Sequence, residues 1–293
     1  MPLFCRHNRL TQNCPICSRE LGSEHNVTGS GRAGRTKPRT ASKPASSRRS
    51  PGVVTRRAPR AADDGYRNPL VPGLRATTDA ERLASALAWA HARLEPPGPH
   101  PAVAAEPDIE EAIWLAFLLA LHDPGATDLH EAIVTAHPTW ASAEPPEIPG
   151  VDPRTVPAYR AWAERAGSQA DAFLGEPGWS PERRFGRVFE RLALPGLRRG
   201  SRFELLNTLG AAERVAVAAD GLHPGKEEDA TTIAAKRVLV SGDPMLLERR
   251  AGELASATGI RLGALDRALA VWGQGDAPEA EAPAGIRSAL GLR

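Results

Sequence analysis

Residues 109–121 read IEEAIWLAFLLAL, and this stretch decides the fold. Every position after Glu111 is apolar, so a helix formed here has almost no face suited to water. Asp108 precedes the stretch and is suited to cap a helix, while Glu110 and Glu111 place negative charge in its first turn. The pattern predicts a central buried helix around which other helices must pack.

Helical spacing continues on both sides of this stretch. Thr78-x-x-Glu81 matches a capping box, and Leu83, Leu87, Ala90 and Leu94 follow it at helical spacing. Further helices are predicted at 128–136, from Pro157 to about Leu174, from Ser180 to Leu192, at 229–240, from Asp243 to Gly259 and at 262–272. With no convincing strand and no repeat, residues 66–273 are predicted to form an all-α, multi-helix domain, followed by a loose tail at 274–293.

Composition narrows the class of protein. The apolar fraction is 41% and the charged fraction 25%, which are the values of an ordinary soluble protein. No apolar run approaches the roughly 18 residues that span a membrane, so no membrane partner is expected. The N-terminus is polar and carries all three cysteines, which argues against a signal peptide and a disulfide framework. These features predict a cytoplasmic protein.

Residues 1–25 carry a metal-binding pattern. Cys5-x-His7 and Cys14-x-x-Cys17 supply three thiolates and one imidazole within 13 residues. This is the ligand set of a closed, tetrahedral, structural Zn²⁺ site, so a small zinc knuckle is predicted. His25 could replace His7 as the fourth ligand. The other interpretations are a redox pair, which lacks the usual βαβ context, and inert free thiols.

A disordered basic linker is predicted at 26–65. Between Asn26 and Ala62 there is no acidic residue, and the segment is rich in Gly, Ser, Thr, Pro and Ala, so it cannot build a core. Its ten basic residues are Arg32, Arg35, Lys37, Arg39, Lys43, Arg48, Arg49, Arg56, Arg57 and Arg60. Such a tether is expected to attract the phosphates of DNA or RNA, with a solubilising spacer as the alternative.

Residues 192–206, LALPGLRRGSRFELL, resemble a helix-hairpin-helix motif. That motif places Leu-Pro-Gly-hydrophobic between two short helices and turns backbone amides toward a DNA phosphate. Leu194 to Leu197 match the turn, but Arg198 stands where the second glycine is usual, and a glycine follows two positions later. The candidate DNA-binding residues are Gly196, Arg198, Arg199 and Gly200. An ordinary Pro-Gly break between two helices is the alternative.

The helical body as a whole also resembles a known family. The segments at 67–74 (RNPLVPGL), 163–169 (AERAGSQ), 187–196 (RVFERLALPG) and 234–238 (AAKRV) resemble actinobacterial proteins of the α-glutamyl/putrescinyl thymine pyrophosphorylase family, third clade. The resemblance implies an all-α fold related to helix-hairpin-helix DNA glycosylases. It also implies displacement of pyrophosphate from a modified thymine in DNA by an amine or amino acid.

Such a displacement needs cations around the leaving group and a metal or a base. The candidate cations are Lys236, Arg237, Arg184 and Arg187, of which Arg184 and Arg187 are expected to project together from one helix. The candidate acids are Glu190, Asp220, Asp229 and Asp243. A solvated helix face is the simpler interpretation of these arginines.

Two functions therefore stay open at this stage. One is a DNA base-modification enzyme, or a descendant of one. The other is a non-catalytic, zinc-knuckle protein that binds nucleic acid or acts as an adaptor. A concave pocket beside the hairpin would favour the enzyme, and a flat or convex basic face would favour the binding protein.

Overall fold

A computed structural model describes residues 60–123, 126–142, 148, 150–225, 229–275 and 278–293. Twelve helices and no strand lie within these ranges, which confirms the all-α class. The helices are α1 (Thr77–Arg93), α2 (Pro101–Ala105), α3 (Ile109–Ala120), α4 (Thr127–Ala136), α5 (Thr155–Glu164), α6 (Gln169–Leu174), α7 (Pro181–Arg191), α8 (Arg199–Ala211), α9 (Ala230–Leu239), α10 (Pro244–Thr258), α11 (Leu262–Gln274) and α12 (Ala284–Ala289). None of those helices combines the length and the apolar character that crossing a bilayer requires.

Helix α3 is the buried helix that its sequence predicts. All of its residues from Ala112 to Ala120 are buried, including Trp114 and Phe117. The side chain of Asp108 accepts hydrogen bonds from the backbone N–H groups of the two glutamates that follow, at 2.8 and 3.2 Å. Apolar character and capping chemistry thus agree at this position.

The start of α1 differs from the prediction. No side chain caps the helix at Ala76, and Thr78-x-x-Glu81 is not its capping box. Instead, the N–H of Thr77 donates to a carboxylate oxygen of Asp64 at 2.8 Å. A carboxylate 13 residues upstream therefore satisfies an N–H that a local cap would otherwise bind. The predicted linker reached residue 65, but Asp64 already belongs to the helical domain.

The single helix predicted from Pro157 to about Leu174 is two helices, α5 and α6. Gly167 has φ of 102°, a left-handed conformation that interrupts the helical path. Ser168 then caps α6 by accepting a hydrogen bond from the N–H of Asp171 at 3.0 Å. The chain turns at this point, and both helices pack in the same hydrophobic core.

The helices bury two separate hydrophobic cores. The first core is built by α1 together with α9, α10, α11 and α12. The second core is built by α2, α3, α5, α6, α7 and α8. Helix α8 also contacts the first group, because Asn207 donates to the carbonyl of Gly263 on α11 at 3.2 Å. The chain thus begins in the first core, builds the second, and returns to the first.

The predicted loose tail at 274–293 is wrong for its described residues, 278–293. Helix α12 forms there, and Ile286, Leu290 and Leu292 are buried in the first core. Tyr66 donates its hydroxyl to the carbonyl of Leu290 at 2.5 Å. The apolar residues are few and surrounded by Pro, Ala and Glu, so the local pattern gave too weak a signal for a packed helix.

Candidate functional site

The segment that resembles a helix-hairpin-helix begins at the end of α7 and spans a turn at 192–198 and the first half of α8. Gly196 has φ of 76°, and a Cβ atom there would lie 2.0 Å from the hydroxyl oxygen of Thr155. The carboxyl carbon of Asp152 would be 3.3 Å away from the same Cβ. Hydrogen bonds from Arg154 lower the pKa of Asp152 to about 2, so this carboxylate is charged. Close packing against the start of α5 accounts for the glycine without any role in DNA binding.

Arg199 lies in the interior, so the prediction that it contacts DNA is wrong. Its side chain is 5% exposed and donates to Asp229 at 2.8 Å and to Asp266. It also donates to the backbone carbonyls of Leu222 and His223 at 3.1 and 3.0 Å. These bonds tie α8 to α11 and to the loop that follows α8. A phosphate could reach this guanidinium only if they broke.

Arg184 is likewise a structural residue, so the prediction that it projects with Arg187 as a catalytic cation is wrong. It is 9% exposed. Its guanidinium donates to the carbonyls of Leu174 and Ala216, both at 2.6 Å, and of Trp179 at 3.3 Å. Three segments of backbone are joined through this one side chain.

The remaining candidates on the hairpin are exposed. Arg187 and Glu190 pair with each other at 3.3 Å, with side chains 56% and 67% exposed. Arg198 is exposed where the turn enters α8. Gly200 is exposed as well, and a Cβ there would meet nothing within 4 Å. Of the predicted DNA-binding side chains, Arg198 is therefore the one that solvent can reach.

Lys236 and Arg237 lie on α9, which packs in the first core. Arg237 pairs with Asp79 of α1 at 3.3 Å and lies 4.6 Å over the ring of Trp272. Lys236 is half-buried on the same helix. Helix α9 belongs to the first core and α7 to the second. The candidate cations are therefore spread over both cores instead of converging on one pocket.

A shallow depression of about 320 Å³ lies beside the hairpin. Its lining residues are Trp162, Arg165, Ala166 and Arg191. Both arginines are exposed, and Arg191 is the last residue of α7. Arg187 precedes Arg191 by four positions and so shares its helix face. We call Arg165, Arg187 and Arg191 the hairpin surface.

An acid–imidazole pair follows α8. Asp220 was one of several candidate acids. The sequence analysis missed His223, because an acid and a histidine three residues apart are a common arrangement. The two side chains meet at 2.6 Å between Asp220 Oδ1 and His223 Nε2. The imidazole stacks on Phe189 with ring centres 4.6 Å apart. Asp220 Oδ2 lies 2.7 Å from where a Cβ of Gly186 would be, so a larger residue on α7 would displace this carboxylate.

The loop that carries this pair is held from two sides. The carboxylate of Glu248 on α10 accepts the N–H groups of Leu222 and His223, both at 2.6 Å. Arg199 donates to the carbonyls of the same two residues. His223 has φ of 47°, which is uncommon for a residue other than glycine. Such a conformation persists only where its surroundings impose it, and it often marks a functional position.

The predicted zinc ligands Cys5, His7, Cys14 and Cys17 lie outside the described residues, as does the alternative His25. The zinc knuckle and the structural Zn²⁺ therefore stay predictions, and so does disorder in the linker from 26 to 59. Within the part of the chain that the structure describes, no three His, Cys, Asp or Glu side chains are grouped closely enough to hold a metal ion.

Comparison with known proteins finds no relative of this chain. No family model, no curated protein and no solved structure matches it significantly. The resemblance to the thymine pyrophosphorylase family thus rests on the four sequence segments alone and stays a prediction.

Proposed function

We propose that the helical domain binds nucleic acid through the hairpin surface. The observation that carries this proposal is the depression in which Arg165 and Arg191 face solvent together beside the turn. Guanidinium groups bind phosphate oxygens with charge-assisted hydrogen bonds, and a shallow site suits a polymer backbone better than a small molecule. Arg198 adds an exposed positive charge at the turn, and Arg187 is exposed while it pairs with Glu190.

The basic linker supports the same function from the sequence side. Its ten lysines and arginines lie between Asn26 and Ala62 without an acidic residue among them. Cations in this number would add salt-dependent attraction to any phosphate backbone that the hairpin surface contacts. We propose duplex DNA as the partner, in keeping with the family that the helical body resembles.

The test is fluorescence anisotropy with labelled duplex and single-stranded DNA between about 50 and 300 mM salt. If about six phosphates are neutralised, the logarithm of the affinity should fall with the logarithm of salt with a slope of about −5. Replacing both Arg165 and Arg191 with alanine should reduce that slope by about 2. Arg249→Ala is the matched control, because this arginine is 69% exposed on α10 in the first core. A slope near zero for the wild type would exclude nucleic-acid binding.

A base-modification enzyme is the second candidate, and the Asp220–His223 pair favours it. The carboxylate accepts the Nε2–H of the imidazole, which leaves the lone pair of Nδ1 free to accept a proton. In the displacement that the family resemblance implies, an amine nitrogen forms a bond to the thymine carbon. Pyrophosphate leaves with the electron pair of the broken C–O bond, and His223 would take the proton that the amine loses.

Mass spectrometry of nucleosides from host DNA separates the two candidates. The enzyme predicts a modified nucleoside that changes when the gene is deleted and that wild-type protein restores. His223→Gln and Asp220→Asn should fail to restore it while still binding DNA in the anisotropy assay. Identical nucleosides with and without the gene would exclude the enzyme and leave the binding function standing.

A further inference from the structure

Arg160 on α5 lies in an aromatic corner that none of the functions above uses. Its guanidinium carbon is 5.2 Å from the ring centre of Trp114 and 4.7 Å from that of Trp140. The two indoles are 5.4 Å apart and inclined at 57°. The cation thus sits in the angle between two large rings, which attract it through their faces.

One edge of this guanidinium lacks hydrogen-bond acceptors. The Nε and Nη2 atoms are both buried, and within the described residues neither has a partner. These two nitrogens form the side of the guanidinium that binds a carboxylate or phosphate with two parallel hydrogen bonds. A charged donor removed from water without an acceptor is unfavourable, so this edge points to an oxyanion that completes it.

The two glutamates of α3 accept hydrogen bonds from backbone N–H groups and not from Arg160. Both carboxylate oxygens of Glu111 accept the backbone N–H of Trp140, at 3.0 and 3.1 Å. Glu110 accepts the N–H groups of Gln169 and Ala170, both at 2.9 Å. Neither carboxylate forms an ion pair with Arg160. They hold the surrounding elements in place and leave its donors unmatched.

The corner is also rigid. The indole N–H of Trp114 donates to the carbonyl of Pro138 at 2.7 Å, which fixes the ring and the segment that leads to Trp140. The hydrogen bonds from Glu111 fix the backbone of Trp140 itself. The apolar ring faces strengthen an ion pair by lowering the local dielectric constant. Because both nitrogens are buried, an oxyanion must displace the neighbouring side chains to reach them.

We propose that Arg160, framed by Trp114 and Trp140, binds the carboxylate or phosphate group of a small ligand. The two oxygens of the ligand would accept from Nε and Nη2, and the half-buried indole of Trp140 would cover one side of it. This site is independent of nucleic-acid binding, because it does not use the hairpin surface.

The test is a tryptophan fluorescence titration of the full chain with inorganic phosphate and, separately, with acetate. Chloride holds the ionic strength constant. We expect a saturable change with at least one of the two anions, and the anion that saturates first identifies the preferred group. Arg160→Lys keeps the charge but loses the two-pronged edge, so the dissociation constant should rise by at least about tenfold. Trp140→Phe should remove most of the signal.

Arg165→Lys is the control, because this exposed arginine lies beside Trp162 in the depression. The proposal predicts an unchanged titration for this variant, and a response lost here instead would assign the signal to the depression and overturn the proposal. Binding by Arg160→Lys as tight as that of the wild type would also overturn the proposal, provided that circular dichroism shows the variant to be folded. A wild-type protein that shows no saturable response to either anion would also overturn the proposal. No DNA is present, so failure leaves the nucleic-acid proposal intact.

Discussion

At the residue scale, His100 makes stability depend on pH. It is 8% exposed, and burial lowers its pKa to about 4, although Glu204 at 3.8 Å pulls in the opposite direction. The unfolded chain binds a proton at this residue near pH 6.5, whereas the folded protein does not. Stability should therefore fall as the pH drops from about 6.5 to about 4, by at most about 3 kcal/mol, and then level off.

The measurement is urea unfolding at several pH values across that window. His100→Gln should reduce the dependence, and burial of His130 and His122, which lowers their pKa values too, accounts for what is left. His137→Gln is the control, since that side chain follows α4 and bonds to the carbonyl of Ile133. If His100→Gln keeps the wild-type slope, another group is responsible.

Substitutions at two glycines of the hairpin should have opposite effects on stability. Gly196→Val would place a Cβ 2.0 Å from Thr155 Oγ1 at a φ of 76°, so we expect a loss of more than about 2 kcal/mol of stability. Gly200→Ala lies in a helix with open space around it and should be neutral or stabilising by up to about 1 kcal/mol. Thermal unfolding of the two variants compares them directly. Equal melting temperatures would contradict the packing of the turn on α5.

At the element scale, two arginines of α7 have different roles despite their similar sequence context. Arg184→Ala leaves three backbone carbonyls without their donor, so it should cost about 2 to 3 kcal/mol. Arg187→Ala removes an exposed pair with Glu190 and should change stability by less than about 0.5 kcal/mol. Chemical denaturation of both variants tests the difference. If the Arg184→Ala protein is as stable as the wild type, the fold does not need this side chain. Arg184 would then again be a candidate functional cation.

The helices whose chemistry is local were predictable from the sequence. Helix α3 was predictable from its uninterrupted apolar run and its aspartate cap. Ser180, Asp229 and Asp243 cap α7, α9 and α10 in the same way. Each of these signals depends on residues within one turn of the helix end, so the sequence alone could show them. The capping box at Thr78-x-x-Glu81 is the exception, because Asp64 supplies the acceptor at the start of α1 instead.

The burial of Arg184 and Arg199 was not predictable. Their acceptors come from segments that are distant in sequence, such as Leu222 for Arg199 and Ala216 for Arg184. A helical wheel places an arginine on a face but does not show which carbonyls the fold brings to it. For the same reason His223 gave no signal until Glu248 and Phe189 were seen around it.

At the scale of the whole molecule, we predict that the helical domain folds without the proposed zinc site. We expect one zinc per chain by elemental analysis, and its loss in the Cys14→Ser, Cys17→Ser double variant. The basic linker separates the four ligands from Asp64, where the helical domain begins. Chelation should therefore remove the metal without moving the thermal transition of the helices. A chelator-induced fall of several degrees would show that the two regions depend on each other.

The two cores have unequal sequence requirements, which matters while the chain leaves the ribosome. The second core draws only on residues 103–217, so it can close as soon as that stretch has emerged. The first core needs α1 together with α9 to α12, which are made more than a hundred residues later. Until then, Leu83 and Leu87 of α1 have no partners to cover them. Helix α1 is therefore the described helix that waits for the longest stretch of synthesis before its core is complete.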